Sequence, residues 1–271
     1  MSDLTIHLLA AAGVLFIGLS KAGFGGGLGM LTTPLCVVAF GAGGNPPTFA
    51  VGTILPLLCA GDLFSLYYYW RKWEAKNLKY LLPGVVVGVF AGVQLIGRFS
   101  NRQTNLAIGL LAVAFVVFQL VKETIFRAEG AFAPNHRVGV PCGVASGITS
   151  TFAHGAGPVV SMFLIPQRLP KEIYVGTTVL VFTWINWIKL PFFCLDRTIV
   201  DLPIFSPHAM ITSATLRMSL LFLPLVPVGV WLGVWLNRKF SETAFLRAVY
   251  VLTFLTGLQL VFNFDLGRFF K

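Results

Sequence analysis

The sequence predicts an all-α polytopic integral membrane protein, built as an inverted repeat of two four-helix halves. Three observations predict this fold class. The 271 residues are 56% hydrophobic and only 11% charged, which lies outside the range of soluble domains. The chain contains eight apolar runs long enough to cross a bilayer. Segments of the first half of the chain also recur in the second half.

Each long apolar run predicts one transmembrane helix, because about 20 consecutive apolar residues cross the hydrocarbon core of a bilayer. The runs cover residues 4–20, 26–42, 47–70, 80–97, 104–121, 172–194, 219–236 and 245–262. The first run has no basic residue before it and no A-x-A-like cleavage site after it. We therefore expect the first helix to be retained rather than removed as a signal peptide.

A ninth apolar stretch, residues 138–166, is broken by glycine and polar residues. As a helix its 29 residues would extend about 43 Å, which is too short for two crossings of a 30 Å core. The stretch therefore predicts a re-entrant hairpin of two half-helices. By the repeat described next, residues 4–42 are its inverted partner, either as a second hairpin or as two short crossings.

An internal repeat divides the chain. Residues 81–100 align without gaps on residues 222–241, with 11 of 20 positions identical, and the tripeptide VGT occurs at 51–53 and again at 175–177. The sequence GLSKAGFGGG from Gly18 has a weaker counterpart in GITSTFAHGAG from Gly147. We therefore predict a first membrane repeat over 1–125, a polar linker over 126–137 and a second membrane repeat over 138–271.

The basic residues predict that the two repeats are inverted. If alternate loops lie on opposite faces, one face carries 12 lysines and arginines and the other carries 5. Cytoplasmic loops are enriched in these residues, so the first face, which includes residues 122–137, is expected in the cytoplasm of a cell with an inner membrane. The net charge of +10 therefore reads as a topology signal rather than a nucleic-acid surface, because the charges sit singly in short loops.

The glycine-rich breaks predict an anion site. A helix N-terminus has N–H groups without intrahelical partners and a partial positive charge. Interrupted helices in inverted repeats are typical of secondary transporters, whose binding sites lie near the bilayer midplane. We predict that the two breaks meet there, with helix starts near Gly26 and Gly157. The candidate binding residues at these breaks are Ser20, Lys21, Gly25, Gly26, Gly27, His154, Gly155 and Gly157.

Polar residues in the flanking helices extend this candidate site. Counted from the VGT repeat, Asp62 corresponds to Asn186, and Ser65 corresponds to Lys189. Buried polar residues at equivalent depths indicate a shared cavity, which also includes Thr53 and Thr177 of the two VGT segments. In this cavity Lys189 would be a cation, Asn186 a neutral donor and Asp62 a proton carrier or the partner of a lysine. His154 could likewise carry a proton.

Several of these residues have a structural alternative. Lys21 could extend to the interface or pair with Asp62, and Lys189 could be an interfacial anchor beside Phe192 and Phe193. His154 could be a hydrogen-bonded core histidine. Glycines spaced four residues apart more often allow close helix packing than bind ligands. We expect a packing role for Gly88, Gly92, Gly229 and Gly233.

No metal, cofactor or enzymatic site is expected. The cysteines Cys36, Cys59, Cys142 and Cys194 stand alone in apolar segments and form no C-x-x-C pair, so core packing explains them best. The chain has no H-E-x-x-H motif, no paired carboxylates and no G-x-x-x-x-G-K-[ST] phosphate loop. An electrochemical gradient is therefore the expected source of energy, and the oligomeric state is left open.

The motifs resemble the sulfite exporter TauE/SafE family, also called TSUP permeases. The features that carry the resemblance are GFGGGLGMLTTPL at 23–35, VGT with the downstream GDLFSLYYYW at 61–70, and the LPG helix at 82–84 with its repeat. The likeness covers essentially the whole chain. The second break reads HGAGP, and together with NWIKLP at 186–191 it resembles a TauE-like branch.

This resemblance implies an inner-membrane carrier that exports sulfur-containing anions, such as sulfite or C2 organosulfonates, and that is coupled to protons. Its expected partners are the small anion and the lipid bilayer, with no nucleic acid. From the residues alone, an anion channel lined by the same breaks remains an alternative, as does a permease for another small oxyanion or a carboxylate.

Overall fold

The computed structural model describes residues 2–21, 29–126, 133–196, 198–200, 205–239 and 242–263. Within these ranges the backbone is almost entirely helical. The one extended pairing there is an isolated bridge between Asp196 and Ser206. The prediction of an all-α fold is therefore confirmed for the part of the chain that is described.

Eleven α-helices are present in the described ranges. Their bounds are α1 Asp3–Lys21, α2 Gly29–Ala42, α3 Pro47–Tyr68, α4 Lys76–Ile96, α5 Asn101–Phe126, α6 His136–Ala153, α7 Gly157–Leu164, α8 Lys171–Cys194, α9 Ser213–Phe222, α10 Leu225–Lys239 and α11 Glu242–Phe262. A 3₁₀ turn, Ile165–Gln167, follows α7.

Five described helices are long and apolar enough to cross a membrane, namely α1, α3, α4, α5 and α8. A sixth span results if α9 and α10, which meet at a bend of 42°, are counted as one broken helix. These helices coincide with predicted apolar runs. They identify the chain as an integral membrane protein.

Of the other predicted runs, 245–262 lies within α11, Glu242–Phe262. The run 26–42 is described from residue 29 onward, and α2 covers it from there to its end. Residues 138–166, the predicted hairpin, form α6 and the eight-residue α7 with a break between them. The break agrees with the prediction of two half-helices, while the re-entrant path and its inverted partner stay predictions.

The described helices form two compact units, and each unit draws on both predicted repeats. Unit 1 comprises residues 1–57, 99–116 and 210–271, and unit 2 comprises residues 58–98 and 117–209. Helices α3 and α5 each contribute a segment to both units. Unit 1 otherwise contains α1, α2, α9, α10 and α11, and unit 2 contains α4, α6, α7 and α8.

In unit 2, α4 packs along α6 with the two backbones in close contact. A Cβ atom added to Gly88 would lie 2.1 Å from the carbonyl oxygen of Val144, and one added to Gly147 would lie 2.6 Å from that of Val85. Only glycine fits at such distances, because real Cβ atoms do not approach a carbonyl this closely. The predicted packing role of Gly88 is therefore confirmed.

In unit 1, α1 packs against α10 in a closely similar manner. A Cβ atom on Gly18 would lie 2.3 Å from the carbonyl oxygen of Val226, and one on Gly229 would lie 2.5 Å from that of Leu15. The predicted packing role of Gly229 is confirmed as well. In the aligned repeat, Gly18 corresponds to Gly147 and Gly229 to Gly88, so the two units use equivalent glycines for equivalent contacts.

Candidate functional site

Two polar residues that the repeat predicts to be equivalent are hydrogen-bonded to each other in unit 2. The Nδ2 atom of Asn186 in α8 donates to Oδ2 of Asp62 in α3 over 2.7 Å. Asp62 is fully buried and Asn186 is 5% exposed. A buried carboxylate requires a donor or a nearby cation to offset its lost hydration, and Asn186 provides one such donor.

Lys189 lies one turn after Asn186 on α8 and is fully buried. Its Nζ atom donates to the carbonyl oxygen of Ser150 over 3.3 Å and to Ser150 Oγ over 2.9 Å, and it lies 2.9 Å from Nδ1 of His154. An ammonium group has three N–H donors, so these three contacts occupy all of them. The burial and these contacts favour a cavity role for Lys189 over an interfacial anchor.

His154 stands at the break between α6 and α7. It caps the C-terminus of α6 in the left-handed backbone conformation, with φ 51°. Its backbone N–H donates to the carbonyl oxygen of Ser150. Helix α7 begins three residues later at Gly157, with Pro158 in its first turn and no side chain capping its N-terminus. Gly155 is buried within the break. The break therefore places an uncapped helix start three residues after His154, whose imidazole contacts the Lys189 ammonium.

The cluster contains an acidic group and a basic group whose charges can offset each other. Lys189 lies within electrostatic range of Asp62 and of Cys59, which is one turn before Asp62 on α3. An ionised Asp62 and an ionised Lys189 would sum to zero net charge. Burial of two opposite charges is costly unless hydrogen bonds satisfy both, and the contacts to Asn186, Ser150 and His154 meet this requirement.

The two VGT threonines differ in their hydrogen bonds. Thr177, in unit 2, donates from Oγ1 to the carbonyl oxygen of Ile173 and accepts the N–H of Glu74. Thr53, in unit 1, is fully buried, and its Oγ1 has no hydrogen-bond partner among the described residues. The Thr177 hydroxyl is thus engaged in the fold, whereas the Thr53 hydroxyl can accept or donate to a ligand.

The predicted residues of the first break are described only in part. Ser20 is half-buried in α1 and donates to the carbonyl oxygen of Ile17. Lys21 is the last residue of α1, and its side chain lies outside the described part of the molecule. Gly25, Gly26 and Gly27 also lie outside the described residues. Their predicted roles in anion binding stay predictions.

The structure adds residues that the sequence prediction missed. Ser150 contacts Lys189 through both its carbonyl and its hydroxyl, and Ser146 is fully buried one turn earlier on α6. Their spacing of four and eight residues before His154 places all three on one side of the helix. That spacing is visible in the sequence, and it is the signal that could have identified both serines.

The long apolar helices, together with a buried polar cluster at a helix break, define an integral membrane protein of the transporter class. The family model for the sulfite exporter TauE/SafE matches residues 9–260. This match covers nearly the entire chain, so the chain belongs to that family of membrane transporters, which are not enzymes. The resemblance predicted from the motifs is confirmed. Comparison with curated proteins and with solved structures gives no match.

Proposed function

We propose that this protein is a secondary transporter that exports sulfur-containing anions, such as sulfite or C2 organosulfonates, from the cytoplasm across the inner membrane. The observation that carries the proposal is the fully buried Lys189 beside His154 at the break between α6 and α7. An ionisable residue at membrane depth is costly and is rarely retained without a functional role. The family of the chain supplies the class of anion.

The anion would bind where three sources of positive potential converge. These are the Lys189 ammonium, the imidazole N–H of His154 and the N-terminus of α7 at Gly157. An uncapped helix start offers N–H groups and part of a positive charge to an oxyanion. A sulfite or sulfonate group carries three oxygen acceptors, so it can accept from all three sources at once.

The contacts of Lys189 suggest how a proton accompanies the anion. Since an ammonium can only donate, Nδ1 of His154 is the acceptor, and the neutral imidazole carries its proton on Nε2. Protonation of Nδ1 would require Lys189 to release it, which frees one ammonium N–H for the anion. We propose that uptake of a proton by His154 and release of the Lys189 donor are one event, and that the anion stabilises the resulting pair of cations.

The charge balance of the cluster favours the same coupling. Ionised Lys189 and ionised Asp62 leave no net positive charge, so a bound anion would bring an unbalanced negative charge into a region of low dielectric. One proton, taken up by His154 or by Asp62, removes this imbalance. The other titratable group in electrostatic range of Lys189 is Cys59, and neither α7 nor the α4 segment 81–96 carries an ionisable side chain.

The inverted repeat belongs to this proposal. Equivalent glycines make equivalent contacts in the two units, namely Gly88 with α6 and Gly229 with α1. In addition, Asp62 and Asn186 are equivalent in the repeat and bonded to each other. If an axis relates the two repeats, equivalent residues in contact would lie beside it, where inverted-repeat transporters bind their substrates. We also propose that the first break, with Ser20, Lys21, Gly25, Gly26 and Gly27, and Thr53 contribute to anion binding.

The substrate class is tested by ligand-dependent thermal stability of the purified protein. The panel consists of sulfite, thiosulfate, isethionate, sulfoacetate, taurine, sulfate, phosphate and acetate. A ligand at 100 times its dissociation constant adds about 2.7 kcal/mol to the folded state, which raises the melting temperature. Stabilisation confined to sulfite or sulfonates supports the proposal, whereas stabilisation by phosphate or acetate alone contradicts it.

Proton coupling is tested with isethionate, whose sulfonate stays ionised across the pH range used. If binding takes up one proton, the affinity of wild type rises up to about tenfold for each unit that the pH falls. We expect His154→Gln to flatten this dependence and Asp62→Asn to preserve it. The reverse result would assign the proton to Asp62. Flux in proteoliposomes that saturates and follows an imposed proton gradient indicates a carrier, and unsaturated, uncoupled flux indicates a channel.

A further inference from the structure

Ser146 of α6 is a buried serine whose hydroxyl has no hydrogen-bond partner among the described residues. Its side chain is fully buried. Nearby hydroxyls in the same helix donate to the carbonyl one turn back, as Thr149 does to Ala145 and Thr151 does to Gly147. The same bond is open to any helical serine by rotation of one side-chain torsion. A buried hydroxyl that does not make it is expected to have a partner beyond the described residues, and a ligand or a water molecule can be that partner.

Three helices of unit 2 run in the same direction. Helices α4 and α6 run in the same direction, because Gly143 contacts Leu81 and Gly147 contacts Val85. Helices α4 and α8 also run in the same direction. Thr177 bonds to Glu74 just before α4 begins, and further along a groove is lined by Val86 of α4 and Ile188 of α8.

Ser146 lies close in the fold to the contacts of Lys189. Lys189 of α8 contacts Ser150 of α6. One turn before Lys189 is Asn186, which binds Asp62, and one turn before Ser150 is Ser146. The Ser146 hydroxyl therefore lies one turn along α6 from the contact between Ser150 and Lys189.

We propose that the Ser146 hydroxyl is a second oxygen-binding position of the transport path, one turn along α6 from Ser150, which contacts Lys189. Its ligand is an oxygen atom, either of the transported anion or of a water molecule that accompanies it. The spacing of Ser146, Ser150 and His154 along α6 would carry this ligand from the helix break toward the N-terminus of α6. This inference rests on the proposed function, because it extends the same site.

The first test measures the accessibility of a cysteine at position 146. The four native cysteines, Cys36, Cys59, Cys142 and Cys194, are replaced by alanine, and Ser146→Cys is compared with Thr151→Cys. Thr151 is the matched control because it is equally buried in α6 but contacts Gly92 of α4. The probes are methyl methanethiosulfonate, which is neutral, and 2-sulfonatoethyl methanethiosulfonate, which is itself a C2 sulfonate.

We expect the neutral probe to label Ser146→Cys at least about tenfold faster than Thr151→Cys, because thiol reactivity follows access to water. Labelling by the sulfonate probe as well, with protection by isethionate, assigns the position to an anion oxygen. Labelling by the neutral probe alone assigns it to water. Equal and slow labelling of both cysteines by both probes would overturn the proposal.

A second variant keeps the test decisive if the cysteine-free protein does not fold. Ser146→Ala removes a hydroxyl that nothing in the described chain satisfies, so a purely structural serine predicts unchanged transport. We expect an unchanged melting temperature and a several-fold higher KM for transport, and unchanged transport would contradict the proposal. If no sulfur anion stabilises the wild type, the proposed function fails while the labelling result for Ser146 still stands.

Discussion

The two VGT segments, one in α3 of unit 1 and the other in α8 of unit 2, share their packing but differ in their polar contacts. A Cβ atom on Gly52 would lie 1.9 Å from the carbonyl oxygen of Met210, and one on Gly176 would lie 1.8 Å from that of Lys72. The threonine that follows is fully buried in both segments. Thr177 is hydrogen-bonded to Ile173 and to the loop at Glu74, whereas the Thr53 hydroxyl has no partner within the described ranges.

The VGT motif therefore has two separable roles, close packing at its glycine and hydrogen bonding at its threonine. In both segments the glycine allows a loop backbone to lie directly against the helix. In unit 2 the threonine also fixes that loop, because its hydroxyl binds the N–H of Glu74. In unit 1 the threonine hydroxyl has no such partner among the described residues, and the proposed function assigns it to the anion. We therefore expect substitutions of the glycines to act alike and substitutions of the threonines to act differently.

Replacement of either glycine by alanine is expected to have the largest effect. At Gly52 and Gly176 the new methyl group would meet a backbone carbonyl, and overpacking of this kind costs about 1–3 kcal/mol or more. We expect both variants to lose most of the monodisperse protein on size-exclusion chromatography. Gly41→Ala is the matched control, since no atom lies within 4 Å of its added Cβ. Normal yields of Gly176→Ala with loss of Gly52→Ala would break the comparison.

The threonines should separate stability from transport. Thr177→Val leaves the Glu74 N–H without its partner, which costs about 1–3 kcal/mol and lowers the melting temperature by several degrees. Thr53→Val removes a hydroxyl without a described partner, so its melting temperature should stay the same or rise. Under the proposed function, Thr53→Val should instead raise the KM of transport. Equal losses of stability in both variants would contradict this distinction.

We expect the smallest effect on stability from a substitution in the connection between α8 and α9. The connection after α8 is folded by the carboxylate of Asp196, which accepts from the Thr198 hydroxyl and from the N–H groups of Thr198, Ile199 and Ala209. The hydrogen bond from the Thr198 hydroxyl is the main reason that the pKa of Asp196 lies below its usual value of 3.8.

A carboxylate with a lowered pKa stabilises the fold above its usual pKa, and this contribution is lost as the pH falls through the lowered value. We expect Asp196→Ala to melt slightly below wild type at neutral pH and to match wild type once the pH has fallen below the lowered pKa of Asp196. Melting curves over a pH series measure this difference. A gap that persists at low pH would show that the carboxylate charge is not responsible.

Much of the fold could be predicted from the sequence because membrane helices are defined by local composition. The run 172–194 predicts α8 at Lys171–Cys194 within one residue, and the packing of Gly88 and Gly229 follows from four-residue spacing. The break after residue 153 could be located from its glycines and Pro158. Local patterns of this kind depend on neighbours in the chain, which the sequence displays directly.

The contacts of the candidate site could be predicted only in part. The repeat predicts that Asp62 and Asn186 are equivalent and share a cavity, and the sequence places Lys189 one turn after Asn186. The partners of Lys189 could not be predicted. Its contact with Ser150 joins residues 39 positions apart on two helices, and no periodicity specifies the rotation of one helix against another. For the same reason, the sequence could not distinguish the engaged hydroxyl of Thr177 from that of Thr53.

Binding of sulfur anions to a Lys189 variant tests the central claim most directly. Lys189→Gln keeps a polar side chain able to donate to Ser150 but removes the positive charge, and Ser65→Ala, at the equivalent position of the other repeat, is the control. The melting temperature of each purified protein is measured with and without sulfite and isethionate. We predict that Lys189→Gln folds but loses the anion-dependent stabilisation, whereas Ser65→Ala retains it. A folded Lys189→Gln protein that is stabilised by these anions as strongly as wild type would contradict the account.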